Sequence, residues 1–174
     1  MMPWINCQIL VACFAVSLLA AGNKPNFTGT RKADVAKSTM TSTPRKNIDP
    51  DAPPGPPPPP ADMAFKMMPP ETITHKEPEL VIQSGPNTVR LTTDGKENTN
   101  NHRFGVHKST TRWEGRKLLT KWKIEREGQV FMEGSDLRSL DPDGKTLIHD
   151  NTVRTSTIET LSHIIWLPSE TERK

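Results

Sequence analysis

The chain is expected to be all-β, an antiparallel meander of about seven strands curled into a barrel or half-barrel. Three observations predict it. Residues 110–166 are short β-forming runs divided by Gly-containing turns at Glu114-Gly115, Glu127-Gly128 and Asp143-Gly144, where glycine accepts the positive φ of a tight reversal. Residues 116–126 alternate with a period of two, placing Leu118, Thr120, Trp122 and Ile124 on one side and Lys117, Lys121, Lys123 and Glu125 on the other. That is a strand with one face against a core and the other in water. From Glu79 onward about seven such runs follow one another through mostly short connections, the spacing of an antiparallel meander.

Residues 1–22 read as an export signal. The run from Ile9 to Leu19 is apolar and followed by the small residues Ala20, Ala21 and Gly22; it is shorter than the roughly 20 residues that span a bilayer. The segment departs from the usual pattern in having no Lys or Arg before the apolar run. The alternative, a buried element of the folded domain, is disfavoured by the long polar tract that follows. Both cysteines, Cys7 and Cys13, lie here, so removal of the segment leaves no disulfide and the core alone must hold the fold. Leu10-Val11-Ala12-Cys13 also resembles a lipobox, in which Cys13 would carry lipid; too little apolar sequence precedes it and too much follows.

Residues 23–71 have no sustained periodicity and are rich in Lys, Thr, Ser, Asn and Pro. The segment is expected to be a disordered tether, since so little apolar area cannot offset the entropy of ordering it. Residues 53–60 contain seven prolines and one glycine and favour an extended polyproline spacer; a docking peptide for an aromatic groove is the competing reading. Asn26-Phe27-Thr28 fits a glycosylation sequon, relevant only in a eukaryotic secretory pathway.

The folded domain is expected over residues 72–168, with a disordered tail at 169–174. Residues 79–84 and 88–92 flank Gly85-Pro86-Asn87 as a hairpin, Asp94-Gly95 ends the second strand, 97–101 is a polar loop, and 104–113 returns as a strand. Residues 129–140 carry Gly134-Ser135-Asp136 at their centre, which suggests a bulge or bend. In Asp141-Pro142-Asp143-Gly144 proline presets φ and glycine accepts the following positive value. Residues 146–154 and 157–166, rich in Thr, Ile and Val, are the last two strands.

Asp94-Gly95-Lys96, the run from Arg112 through Trp113, Glu114, Gly115, Arg116 and Lys117 to Leu118, and the run from Leu140 to Leu147 together resemble exported β-rich bacterial domains of unknown function found mainly in Acidobacteria. The resemblance covers about half the chain and rests on turn chemistry. It implies an exported β-domain and assigns no activity. The chain departs from the pattern in lacking tyrosine and in its less regular 129–140 strand.

A formal net charge of +3 is too small to imply a nucleic-acid partner. His75, His102, His107, His149 and His163 show no ligand spacing and no cysteine companions; His149 and His163 fall on neighbouring expected strands and could meet, but two residues fall short of the three or four ligands of a zinc site, so no metal is expected. No nucleophile elbow, P-loop or dinucleotide fingerprint is present, and no cofactor or catalytic residue is assigned. Arg112, Arg116, Lys121 and Lys123 surround Trp113 and Trp122 as a candidate ligand-binding surface for an anionic polymer; Lys117 belongs to the same group. The bland reading makes the lysines a solvated face and Trp122 core. The expected role is a non-catalytic binding or structural module of the cell envelope, periplasmic or extracellular, whose membrane contact runs through the signal segment or a lipid anchor. The alternatives are a lipocalin-like carrier of a small lipophilic ligand, since a barrel of about eight strands leaves room for one, and a hydrolase using Glu133, Asp136 and Asp150 gathered on one face.

Overall fold

The computed structural model describes residues 24–45 and 60–169, so the expected signal at 1–22, the proline-rich stretch before Pro60 and the tail beyond Ser169 lie outside the described residues. The fold is all-β. Among the described residues eleven strands and one short helix run in the order β1 (Gly29–Ala33), β2 (Thr39–Pro44), α1 (Ala61–Lys66), β3 (Glu71–Lys76), β4 (Glu79–Ser84), β5 (Asn87–Thr92), β6 (Asp94–His102), β7 (Gly105–Glu114), β8 (Lys117–Arg126), β9 (Gln129–Leu140), β10 (Leu147–Arg154) and β11 (Ile158–Pro168). All pair antiparallel in one sheet ordered β5-β4-β3-β1-β11-β10-β9-β8-β7-β6, with β2 on β11 beside β1.

The sheet nearly closes into a barrel. Its two edges, β5 and β6, meet where the Asn100 side chain bonds both backbone groups of Arg90, accepting from its N–H at 2.8 Å and donating to its carbonyl at 2.9 Å. A side-chain amide presents the same donor and acceptor as a peptide unit, so Asn100 substitutes for a ladder rung at the seam. Asn98 adds a bond from Nδ2 to Thr92 Oγ1 at 3.2 Å.

The turns fall where the sequence places them. Gly85, Gly95, Gly115, Gly128 and Gly144 all have positive φ. At the β8–β9 hairpin Glu127 joins Gly128 at φ 53° and 79°, the paired positive values whose twist suits a two-residue hairpin. Alternation in β8 also holds: Leu118, Thr120 and Ile124 are buried, Trp122 is half-buried, and Lys121 is exposed.

Three expectations are corrected. Residues 23–71 contain β1, β2 and α1, so the tether is not unstructured as far as it is described. These strands are short and polar, and the partner that orders them is distant: Arg31 to Ala33 pair with Trp166 to Pro168, and Thr39 to Pro44 with Ile158 to His163. The strand count rises from about seven to eleven for the same reason, because Glu71–Lys76 adds β3 ahead of the first expected strand, and because residues 97–101, expected as a loop, belong to β6 and pair with Val106 to Thr110. Finally, Gly134 is not a bulge. The register shift lies three residues earlier, at Phe131 of β9 opposite the Ile124–Glu125 step of β8, whereas Gly134 sits opposite Trp122, and a Cβ there would collide with the Thr152 carbonyl oxygen and stand 2.6 Å from the indole. Glycine at this point makes room for the ring.

The core fills one end of the barrel. Phe27, Ile73, Leu80, Leu118 and Leu147 are fully buried there with Leu91, Ile164 and Trp166 around them, and α1 adds Phe65. Phe27 stacks on Trp113 with centroids 5.8 Å apart. The Trp113 indole N–H donates to Glu77 at 2.6 Å, and Thr93 donates to the same carboxylate at 2.6 Å. Those bonds, with Lys24 nearby, outweigh the opposing effect of burial and hold Glu77 below the ordinary glutamate range.

Candidate functional site

Antiparallel register places inner-face residues in rows across neighbouring strands. One row runs Thr111, Thr120, Asp136, Asn151, Ser162, Met40 through β7, β8, β9, β10, β11 and β2; the next runs Trp113, Leu118, Arg138, His149, Ile164. Their centre is polar, unlike the hydrophobic positions that a strand normally turns inward. Arg138 and His149 are buried, 6% exposed each.

The charges there are mutually satisfied in part. Asp136 Oδ1 accepts from His149 Nε2 at 2.8 Å and from Asn151 Nδ2, while Arg138 Nη1 lies 3.8 Å from Asp136 Oδ2. Burial pushes the Asp136 carboxyl up, but Arg138 and the bonds from His149 and Asn151 together outweigh it and hold it well below the usual aspartate range. The network also crosses the barrel. Glu71, on β3 and four strand positions from β9 in the sheet order, brings Oε2 within 3.6 Å of Arg138 Nη2. An ion pair across the lumen needs both charges, because removing either leaves the other buried without compensation.

Beside this network opens a cavity of about 390 Å³. Its walls include Met40, Met68, Val153 and Ile164 on the apolar side, and Glu71, His149 and Trp166 on the polar side. Those last three each carry a buried polar atom with no hydrogen-bond partner: Glu71 Oε1, His149 Nδ1 and Trp166 Nε1. Buried polar atoms are nearly always paired, so three cavity-lining residues that each hold an unpaired one stand out. A larger cleft of about 600 Å³ between Thr28, Arg31, Lys145 and Pro168 contains no residue with such an atom. A groove of about 370 Å³ on the outer wall, lined by Lys108, Lys121, Lys123, Glu97 and Glu133, touches one, Ser109.

The six residues of the basic-aromatic surface do not share a face. Trp113 and Trp122 belong to the inner rows with Leu118, Thr120 and Gly134, whereas Arg112, Lys121 and Lys123 alternate to the outside and Arg116 lies exposed in the β7–β8 turn. Lys123 and Lys108 bind Glu125 at 2.7 and 2.6 Å. Among the candidate carboxylates only Asp136 points inward; Glu133 and Asp150 fall on the opposite face. His149 is inside and His163 outside, bonded to Asp150 at 2.6 Å, so the two histidines do not meet. Among the described residues no group of three or more His, Cys, Asp and Glu is placed to hold a metal ion. Sequence reading missed Glu71, Arg138 and Trp166. The available signal was alternation in residues 136–140, where Asp136, Arg138 and Leu140 share one side. Set against known proteins, the chain matches no family model, and no curated protein is detectably similar to it in sequence.

Proposed function

We propose that the protein is a binding module that takes up a small molecule in the 390 Å³ cavity of its barrel. Ligand sites are concave, mostly apolar and carry a few converging polar groups. The observation that supports this role is a largely apolar space whose lining includes Glu71, His149 and Trp166, each of which carries a buried polar atom without a hydrogen-bond partner. Reading the apolar run within residues 1–22 as an export signal supports a role at the cell envelope, in keeping with the resemblance to exported bacterial β-domains.

The test is uptake of a neutral naphthylamine dye by the full chain, followed by fluorescence. Wild type takes up dye saturably, and Val153→Trp, which fills the cavity, does not. Equal uptake by both would place the dye elsewhere and sink the proposal.

One observation favours a second role. A histidine oriented by a carboxylate, with its other nitrogen free beside a cavity, is the arrangement of a general base, and His149 with Asp136 has it. Turnover of a small ester that His149→Gln abolishes, with dye uptake retained, distinguishes an enzyme from a carrier.

A further inference from the structure

We propose that the end of the sheet formed by the β6–β7 and β8–β9 turns inserts shallowly into an anionic lipid bilayer. This role is separate from the cavity and does not depend on it.

Turns at a sheet end are normally polar, rich in Gly, Pro, Asn, Asp and Ser. Here they are not. Among the described residues eight large apolar side chains are exposed, and half of them gather at this end: Phe104, Val106, Val130 and Phe131, between 38% and 53% exposed. Phe104 stands in the turn between His102 and Gly105. Phe131 is the residue left over by the register shift between β8 and β9, and a bulge re-aims a side chain that regular alternation would direct elsewhere. The two rings meet with centroids 5.9 Å apart. Val106 and Val130 flank Glu125 from either side across β7, β8 and β9. Exposed apolar surface gathered in this way marks a contact site, whereas single scattered residues carry no such meaning.

Three features select a bilayer as the occupant. The first is depth. Val106 and Val130 are each the second residue of their strand, and at about 3.3 Å per residue the apolar zone is roughly 7 Å deep. Interfacial segments bury themselves by about 5–10 Å. The second is extent. A stable protein interface takes roughly 20 residues a side; four apolar side chains on two turns fall short of that and suffice for shallow insertion. The third is charge. Residues 102–108 and 123–131 carry Arg103, Lys108, Lys123 and Arg126 against Glu125 and Glu127, a surplus of cations that complements anionic headgroups. The Arg103 guanidinium lies 4.5 Å from the Phe104 ring centroid, so the ring enters the hydrocarbon boundary while the charge stays among the headgroups.

The experiment mixes the full chain with vesicles of phosphatidylcholine, alone or with about one-third phosphatidylglycerol, and reads amide exchange segment by segment. The apolar run at residues 9–19 is present in every variant, so the exchange pattern rather than binding alone reports on the sheet end. Protection of residues 102–106 and 126–131 by anionic vesicles, with the turns at 114–117 and 141–146 at the opposite end unprotected, is the expected result. Phe104→Ser combined with Phe131→Ser is expected to abolish that protection, with an unchanged far-ultraviolet circular dichroism spectrum showing that the variant is folded. Arg103→Gln is expected to raise the lipid concentration for half-protection about fivefold on anionic vesicles, the effect of one basic residue near such a surface, and it carries the test alone should the double variant fail to fold. Vesicle binding without protection of these two turns, or protection that survives in the double variant, overturns the proposal. So does protection that appears without vesicles as protein concentration rises, which would assign the patch to a second copy of the chain.

Discussion

Two rows of the inner wall lie on the same strands and behave in opposite ways. Leu140, Leu147, Trp166 and Ala33 stand side by side at one end of β9, β10, β11 and β1; Asp136, Asn151, Ser162 and Met40 stand side by side one turn of the pleat beyond Arg138 and His149. The first row belongs to a packed apolar core, with Trp166 also reaching the cavity wall. The second holds a buried carboxylate and borders a cavity. The backbone ladder is common to both, so the contrast is one of side chains alone. A filled end supplies stability, and that lets the other end keep polar groups and empty space that cost stability.

Substitutions should separate the two ends. The largest effect is expected at the charged row: Arg138→Leu strands Asp136 and Glu71 together in the interior and should cost about 3–5 kcal/mol in urea unfolding. At the filled end Phe27→Ala removes a fully buried ring stacked on Trp113 and should cost about 3 kcal/mol while leaving dye uptake unchanged. Where the cavity row approaches Trp122, Gly134→Ala drives a Cβ against the Thr152 carbonyl and the indole and should cost about 1–3 kcal/mol. Asn100→Ala opens the seam between β5 and β6 for about 1 kcal/mol, read as faster amide exchange at Arg90.

Acid should attack only one of the rows. The folded Asp136 carboxyl is depressed below its ordinary value of 3.8. Its stabilisation is therefore complete above that value and is lost as the pH falls below it, because the unfolded chain then binds a proton that the folded chain does not. Asp136→Asn should flatten unfolding stability below pH 3.8 relative to wild type; Phe27→Ala should lower the whole profile without changing its slope.

Much of the C-terminal meander was legible in the sequence, because its information is local. Glu114-Gly115, Glu127-Gly128 and Asp143-Gly144 dictate reversals within a few residues, and the alternation of residues 116–126 dictates which side of β8 faces in. The N-terminal strands carried no comparable signal. Gly29-Thr30-Arg31-Lys32-Ala33 has neither β-branched density nor a hairpin partner, and it becomes a strand because β11, more than a hundred residues away, offers it an edge. The site was obscured for a related reason. A basic cluster close in sequence, Arg112 to Lys123, splits across two faces once pleated, whereas Arg138, His149 and Trp166 come together through the register of β9, β10 and β11, and Glu71, far off in the chain, reaches Arg138 only when the sheet curls.

The most direct measurement is equilibrium titration of the full chain with the neutral naphthylamine dye, comparing wild type, Val153→Trp and Phe27→Ala. Saturable binding by wild type and Phe27→Ala, lost in Val153→Trp, is the predicted result. Binding by Val153→Trp equal to that of wild type would contradict it.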